Sequence, residues 1–219
     1  MKGVVLDLCG GTGSWAKPYK DGGYDVRTIT LPDYDVERWR EYPDLVDLVH
    51  SNTVVGILAA PPCTMFSIAR NDKTAIEKRD LRKGMRTVNA CLEIIHECLY
   101  SPYRISQNSV RFWAVENPAS GYLDRFLGKP TAVFDPSEFG DEHTKLTAVW
   151  GMFNEPKKTH KAIKTGKGRN FVKDVERYFD HTKHLIPTGY REKTGLAMRT
   201  IVRSITPQGF AKAFYEANK

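Results

Sequence analysis

The chain opens on a short apolar run, Gly3 to Leu8, whose Val4-Val5-Leu6 centre predicts a buried strand. A glycine turn follows at Gly10-Gly11-Thr12-Gly13, and Ser14 to Tyr19 predicts a short helix cut by Pro18. Tyr24 to Leu31 predicts a second strand. Asp35 to Leu48 is mostly polar and predicts partial helix interrupted at Pro43. Val54 to Ala60 predicts a third strand. Between Asp80 and Tyr100, the positions Val88, Leu92, Ile95 and Leu99 fall on one face of a helix. Arg111 to Glu116 predicts a fourth strand, and Thr131 to Phe134 and Thr147 to Trp150 two more. Thr206 to Asn218 predicts a proline-started helix with Phe210, Ala213, Phe214 and Ala217 on one side. Strand and helix alternate from the start. That alternation predicts an α/β fold with a doubly wound, mostly parallel sheet.

A length of 219 residues fits one α/β domain and is ample for a sizeable core. From Asn154 to Thr194 the pattern weakens, and Lys157, Lys158, Lys161, Lys164, Lys167 and Arg169 crowd around Gly166 and Gly168. This stretch reads either as a solvated loop or as a loop that contacts phosphates. No apolar run reaches membrane-spanning length, and the first residues lack a signal-peptide pattern. Cys9, Cys63, Cys91 and Cys98 form no CxxC pair. A reduced, cytoplasmic protein without a membrane partner is therefore expected. The net charge of +7 tilts the choice of partner toward a polyanion, nucleic acid or nucleotide. His181 and His184 form an HxxH pair with no matching Cys or acidic pair, so a polar loop and no metal are expected.

Three constellations carry chemistry. Pro61-Pro62-Cys63 ends the third strand on a stiff turn that sends the thiol away from the sheet in one direction. Such a mount suits a nucleophile, although a single cysteine is otherwise a small buried hydrophobe. Glu116-Asn117-Pro118 ends the fourth strand. In an open parallel sheet the strand ends gather at one edge, so Asp7, Cys63 and Glu116 are expected there together. A carboxyl beside a nucleophilic thiol can protonate a ring while the thiol attacks it. Asp7-Leu8-Cys9-Gly10-Gly11-Thr12-Gly13 lets backbone approach a ligand closely. It is not GxGxxG and has no GK[ST], and by itself it suits several nucleotide cofactors.

Taken together, these residues resemble the cytosine carbon-5 DNA methyltransferases, and more particularly their short phage-type members found beside restriction-modification systems. The family's DLFxGxG is matched by Asp7 to Gly13, and its PPCxxFS in full by Pro61 to Ser67. Its ENV block appears as Glu116-Asn117-Pro118. Phe139 to Thr147 resembles YGxxQxRxR, and Arg203 to Ala211 resembles RxLTxxExA. The blocks stand in the family's order over nearly the whole chain.

The resemblance implies S-adenosylmethionine as cofactor, held by Asp7, Leu8, Cys9, Gly11, Gly13, Trp15 and Pro62, with Asp35 on the adenine amino group. At the family's ribose-binding acid stand Thr30 and Leu31 instead. It implies that Cys63 attacks carbon 6 of a cytosine flipped out of duplex DNA, that Glu116 protonates ring nitrogen 3, and that Lys145 grips the base. Lys145 takes the place of an arginine, Thr147 of a second arginine and His143 of a glutamine. DNA contacts are implied at Ser67, Arg70, Lys145, Lys157, Lys158, Lys161 and Arg203. The basic run Arg70, Lys73, Lys78, Arg79, Arg82, Lys83 and Arg86 is either a loop closing on DNA or a charged helix face.

The whole chain, 1–219, then reads as one methyltransferase domain, with a core at 1–153, a reduced basic recognition insertion at 154–198 and a C-terminal return at 199–219; its oligomeric state is left open, with a monomer favoured. The short insertion predicts short or relaxed sequence preference. The final GN-containing family motif is absent, which leaves the cofactor pocket less enclosed or closed by another segment. Two other readings stand beside this one. The same chemistry could act on a free cytosine nucleotide, single-stranded DNA or RNA, or the chain could be a cofactor- or DNA-binding relic.

Overall fold

The computed structural model describes residues 2–68, 78–100, 109–162 and 182–219. Six strands form one mixed sheet: β1 Val4–Leu8, β2 Asp25–Ile29, β3 Val54–Ala59, β4 Phe112–Pro118, β5 Ala132–Phe134 and β6 Thr147–Met152. Their order is β2-β1-β3-β4-β6-β5. The first four strands are parallel to one another, while β6 runs antiparallel to both β4 and β5. The link from β5 to β6 carries only a 3-10 turn, Pro136–Phe139, and no crossover helix to return the chain in parallel.

Helices α1 Lys17–Asp21, α2 Pro43–His50, α3 Leu81–Tyr100, α4 Asp124–Leu127, α5 Tyr190–Thr194, α6 Met198–Ser204 and α7 Gln208–Asn218 complete the described elements. Pro18 acts differently from expectation, while Pro43 marks the expected interruption. Pro18 does not cut its helix but sits in the first turn, where its missing N–H leaves no bond unmade. Pro43 likewise starts α2, after a separate 3-10 segment at Val36–Glu41.

Each face of the sheet has its own core, as the alternation of a strand demands. On one face Leu6, Leu8, Ile57 and Ala59 pack with Leu45 and Val49 of α2 and with Cys91, Ile94 and Cys98 of α3. The apolar face of α3 is thus wider than its sequence spacing suggests: Val88 and Ile95 are buried, while Leu92 and Leu99 lie at the border. On the other face Val5, Leu58, Phe112 and Ala114 pack with Trp15, Tyr19, Phe210 and Phe214. Phe210 stacks on Phe134 at 3.7 Å between ring centroids. Each such fully buried side chain contributes roughly 1.5–3 kcal/mol. This anchorage of α7 fixes the position of α6 just before it.

The strand order reverses between β1 and β3: β2 lies on one side of β1 and β3 on the other. Open α/β sheets bind ligands beyond the carboxyl ends of the strands at such a switch point. The glycine turn leaves β1 there, and Pro61-Pro62-Cys63 leaves β3 there. Among the described residues no helix is long and apolar enough to cross a membrane.

Candidate active site

The glycine turn follows a strand buried along its whole length, Asp7 included. Burial alone pushes the Asp7 carboxyl up to about 7. Neither of its oxygens has a hydrogen-bond partner among the described residues, and the same holds for Thr12 Oγ1 and Trp15 Nε1. Gly10 arches directly over this carboxyl: a Cβ at that position would lie 2.1 Å from an Asp7 oxygen. No larger residue fits there without displacing the acid.

The neighbouring side chains have specific tasks. Leu8 is fully buried, and its carbonyl accepts the Ala60 N–H at 2.9 Å, tying the end of β1 to the end of β3. Cys9 adopts a positive φ of 55° and turns its sulfur to within 3.9 Å of Cys91 on α3. Trp15 is 2% exposed and packs edge-on against Phe214 at 5.4 Å, inside the aromatic core. Asp35 caps the 3-10 segment, accepting the Glu37 N–H at 3.0 Å.

The thiol turn is held from three directions. Asn117, buried at the end of β4, donates from Nδ2 to the Pro61 carbonyl at 3.0 Å. Arg79 donates to the carbonyls of Met65 and Ser67 at 2.7 and 3.0 Å. Gly84 of α3 lets the turn close in, since a Cβ there would sit 2.9 Å from Met65 Cβ. The Ser67 N–H returns to the Cys63 carbonyl at 2.8 Å, and Ser67 bridges to Gly121.

Cys63 itself is half-buried in the 3-10 turn Cys63–Met65. Burial pushes its thiol above the ordinary value; Lys145 draws it down, Glu116 pushes it up, and Arg203 draws it down. Three charged side chains from three other stretches of chain therefore act on this one thiol. Lys145 Nζ also reaches the Arg203 carbonyl on α6 at 3.4 Å. One carboxylate oxygen of Glu116, Oε2, is buried without a partner among the described residues. His143, two residues before Lys145, is held neutral: burial, then Lys145, drive its pKa down to about 4 against an opposing pull from Asp135.

Other expected residues lie elsewhere. Lys158 pairs with Glu138 at 3.0 Å, beside the outer strand β5, and Lys157 and Lys161 are exposed on the same segment. Pro62 is exposed at the start of the thiol turn. Arg86 pairs with Glu37, so this part of the basic run is a charged helix face. Arg70, Lys73, Lys164, Lys167, Arg169 and His181 fall outside the described residues. Among the described residues no group of three or more His, Cys, Asp or Glu could hold a metal ion.

Two tethering residues escaped the sequence reading. Asn117 was visible only as part of a motif, and a buried amide beside a proline-rich turn is the signal that could have marked it. Arg79 looked like one more cation in a basic run, and nothing in its spacing sets it apart. Neither a family model nor a curated protein matches the chain.

The residues at the glycine turn suit the cofactor that the sequence implies. S-adenosylmethionine carries an ammonium, and Asp7 offers a buried carboxyl whose charge no group offsets. The Gly10 backbone leaves the close approach that such a ligand needs.

Proposed function

We propose that this chain is an S-adenosylmethionine-dependent DNA cytosine carbon-5 methyltransferase, with the α/β sheet serving as the methyltransferase type of Rossmann-like fold. One observation carries the reading above the others. A proline-mounted thiol at the sheet's switch point feels Glu116, Lys145 and Arg203 at once, next to a glycine turn over an unpaired acid.

Each residue has a part in the chemistry. Cys63 Sγ adds to carbon 6 of cytosine, which makes carbon 5 nucleophilic. Glu116 protonates ring nitrogen 3 as this happens, so negative charge does not build up on the ring. Burial holds the thiol protonated, so its proton passes to water as Sγ attacks, and the thiolate forms only in step with protonation of the ring. Lys145 and Arg203 steady the developing thiolate and face the anionic backbone of DNA. Lysine supplies a single point of charge there and not a bidentate fork. Asp7 and the Gly10–Gly13 backbone hold the cofactor. S-adenosylmethionine, when bound, supplies the methyl group for carbon 5. Loss of the carbon-5 proton to water, return of the nitrogen-3 proton to Glu116 and elimination of Cys63 as thiolate then restore the ring. The base must leave the duplex first, at a cost of a few kcal/mol.

The test is a duplex containing 5-fluorocytosine, incubated with the chain and methyl-labelled S-adenosylmethionine. A covalent protein–DNA adduct is expected with wild type and none with Cys63→Ala. Equal methyl incorporation by both would sink the mechanism. Competition with dCMP and tRNA fixes the substrate: preferential methylation of the mononucleotide removes duplex DNA from the proposal.

A further inference from the structure

Helix α5 is too thinly anchored to be explained by packing. None of its five residues is buried. Glycines with left-handed backbone bound it on both sides, Gly189 at φ 74° and Gly195 at φ 65°. Local bonds close it, with Tyr190 N–H donating to the Pro187 carbonyl and Gly195 N–H to Arg191. A helix this short has little stability of its own in water. Yet one of its side chains reaches the glycine turn. The atom nearest to where a Gly11 Cβ would stand is the Tyr190 hydroxyl, at 3.4 Å. Three residues on, Lys193 pairs with Asp33, in the segment that runs from β2 to the Asp35 cap.

We propose that α5 is the outer wall of the cofactor site and that Tyr190 contacts the bound cofactor. This rests on the methyl-transfer reading and extends it to a segment with no counterpart in the motifs that suggested it. The wall joins both sides of the opening: Tyr190 meets the turn after β1, and Lys193 meets the segment after β2. The ligand class follows from the chemistry available. A phenol presents an apolar ring and one hydroxyl, which suits an adenosyl group bearing a sulfonium or thioether. Burial raises the Tyr190 pKa, so its hydroxyl remains a donor at neutral pH. The wall also belongs to the chain stretch that carries the basic run after Asn154.

The experiment is calorimetric titration of the full chain with S-adenosylhomocysteine and, separately, S-adenosylmethionine. Tyr190→Ala is expected to weaken both by about tenfold, the cost of a lost hydrogen bond and its ring contact. Tyr190→Phe keeps the ring and reads the hydroxyl alone, with an intermediate loss. Lys193→Ala breaks an exposed pair and is expected to weaken binding at most about fivefold. Hydrogen exchange provides a readout that a merely structural tyrosine would not move: amides of 190–196 are expected to slow when S-adenosylhomocysteine is added to wild type. Wild-type affinity in Tyr190→Ala, or unchanged exchange in a chain that binds the ligand, overturns the wall and leaves the methyl-transfer reading standing. Failure of the wild-type chain to bind either compound overturns both.

Discussion

Around the glycine turn, Asp7 holds a carboxyl that burial pushes up to about 7 and that no neighbour pairs. Around the thiol turn, His143 holds an imidazole that burial and Lys145 drive down to about 4. The two halves stand on one sheet edge, yet they store opposite kinds of electrostatic cost. The glycine half tolerates a negative charge poorly, because burial disfavours the Asp7 carboxylate. The thiol half already has positive charge from Lys145 and Arg203 and refuses more of it. Their construction differs in the same sense. Side chains of Asn117 and Arg79 tie the thiol turn down in advance. The glycine turn is shaped by backbone and leaves Asp7, Thr12 and Trp15 with polar atoms unmet. One half is tied by its own side chains, and the other leaves its polar atoms unmet.

The sharpest way to separate them is stability against pH. An aspartate whose carboxyl is near 3.8 when unfolded and about 7 when folded lets the unfolded chain release a proton first. Stability from Asp7 is intact below about pH 4 and falls as pH rises toward 7, by up to about 4 kcal/mol. Asp141, also raised by burial, works in the same direction. Asp7→Asn removes the Asp7 slope. The variant is expected to exceed wild type in chemical denaturation above pH 7 and to lose that advantage near pH 4. An advantage that does not change with pH would break the contrast.

His143 has the opposite sign. Its unfolded value is 6.5 and its folded value about 4, so the unfolded chain takes up a proton first as pH falls. Its stability contribution is present above pH 6.5 and is lost toward pH 4, by about 3 kcal/mol. The two slopes oppose each other across nearly the same window. Wild type is expected to look flatter there than either single variant. In His143→Gln, stability should fall with rising pH; in Asp7→Asn, it should rise. Parallel curves for the two variants would show that the halves do not differ as described.

A smaller effect checks the prebuilt half. Asn117→Ala removes the donor to the Pro61 carbonyl deep in the protein. A loss of about 1–3 kcal/mol is expected in denaturant melts. The thiol turn should also lose its fixed direction, so 5-fluorocytosine adduct formation is expected to fall by more than stability alone explains. Full adduct yield in a destabilised Asn117→Ala would show that the tether serves the fold and not the thiol.

How much of this was legible in the sequence depends on whether the cause was local. The β1 and β3 runs, the glycine turn and the long α3 were readable because period and apolar content act within a few residues. The expectation that Asp7, Cys63 and Glu116 share an edge followed from strand polarity, and the register places Leu8 beside Ala59 and Ala59 beside Val115. The antiparallel β6 was not readable, because strand direction there depends on which neighbour the chain reaches after β5. Nor was the course of α5. Its contacts are single atoms meeting residues some 160 or more positions away in sequence, with no periodic signal to carry them. Pro18 was misjudged because the residue that breaks a helix interior also starts a helix, and sequence spacing does not separate the two cases.

The smallest expected effect probes the thiol half from inside. Burial raises the Cys63 pKa, and Lys145 is the first influence opposing it. Removing that positive charge in Lys145→Ala leaves burial and Glu116 to act together, with only Arg203 and the backbone still holding the thiol down. The alkylation rate of Cys63, followed by peptide mass spectrometry against pH, is then expected to rise at more alkaline pH than in wild type. Glu116→Gln removes an opposing charge and is expected to shift the same profile toward acid. Lys145→Arg keeps the charge and should leave the profile near wild type. The pair of opposite shifts matters more than the size of either, because a general loosening of the turn would expose the thiol and move both variants toward acid. If Lys145→Ala moves that way, charge does not govern the thiol, and the thiol half is not prepared for its anion in the way that separates it from the glycine half.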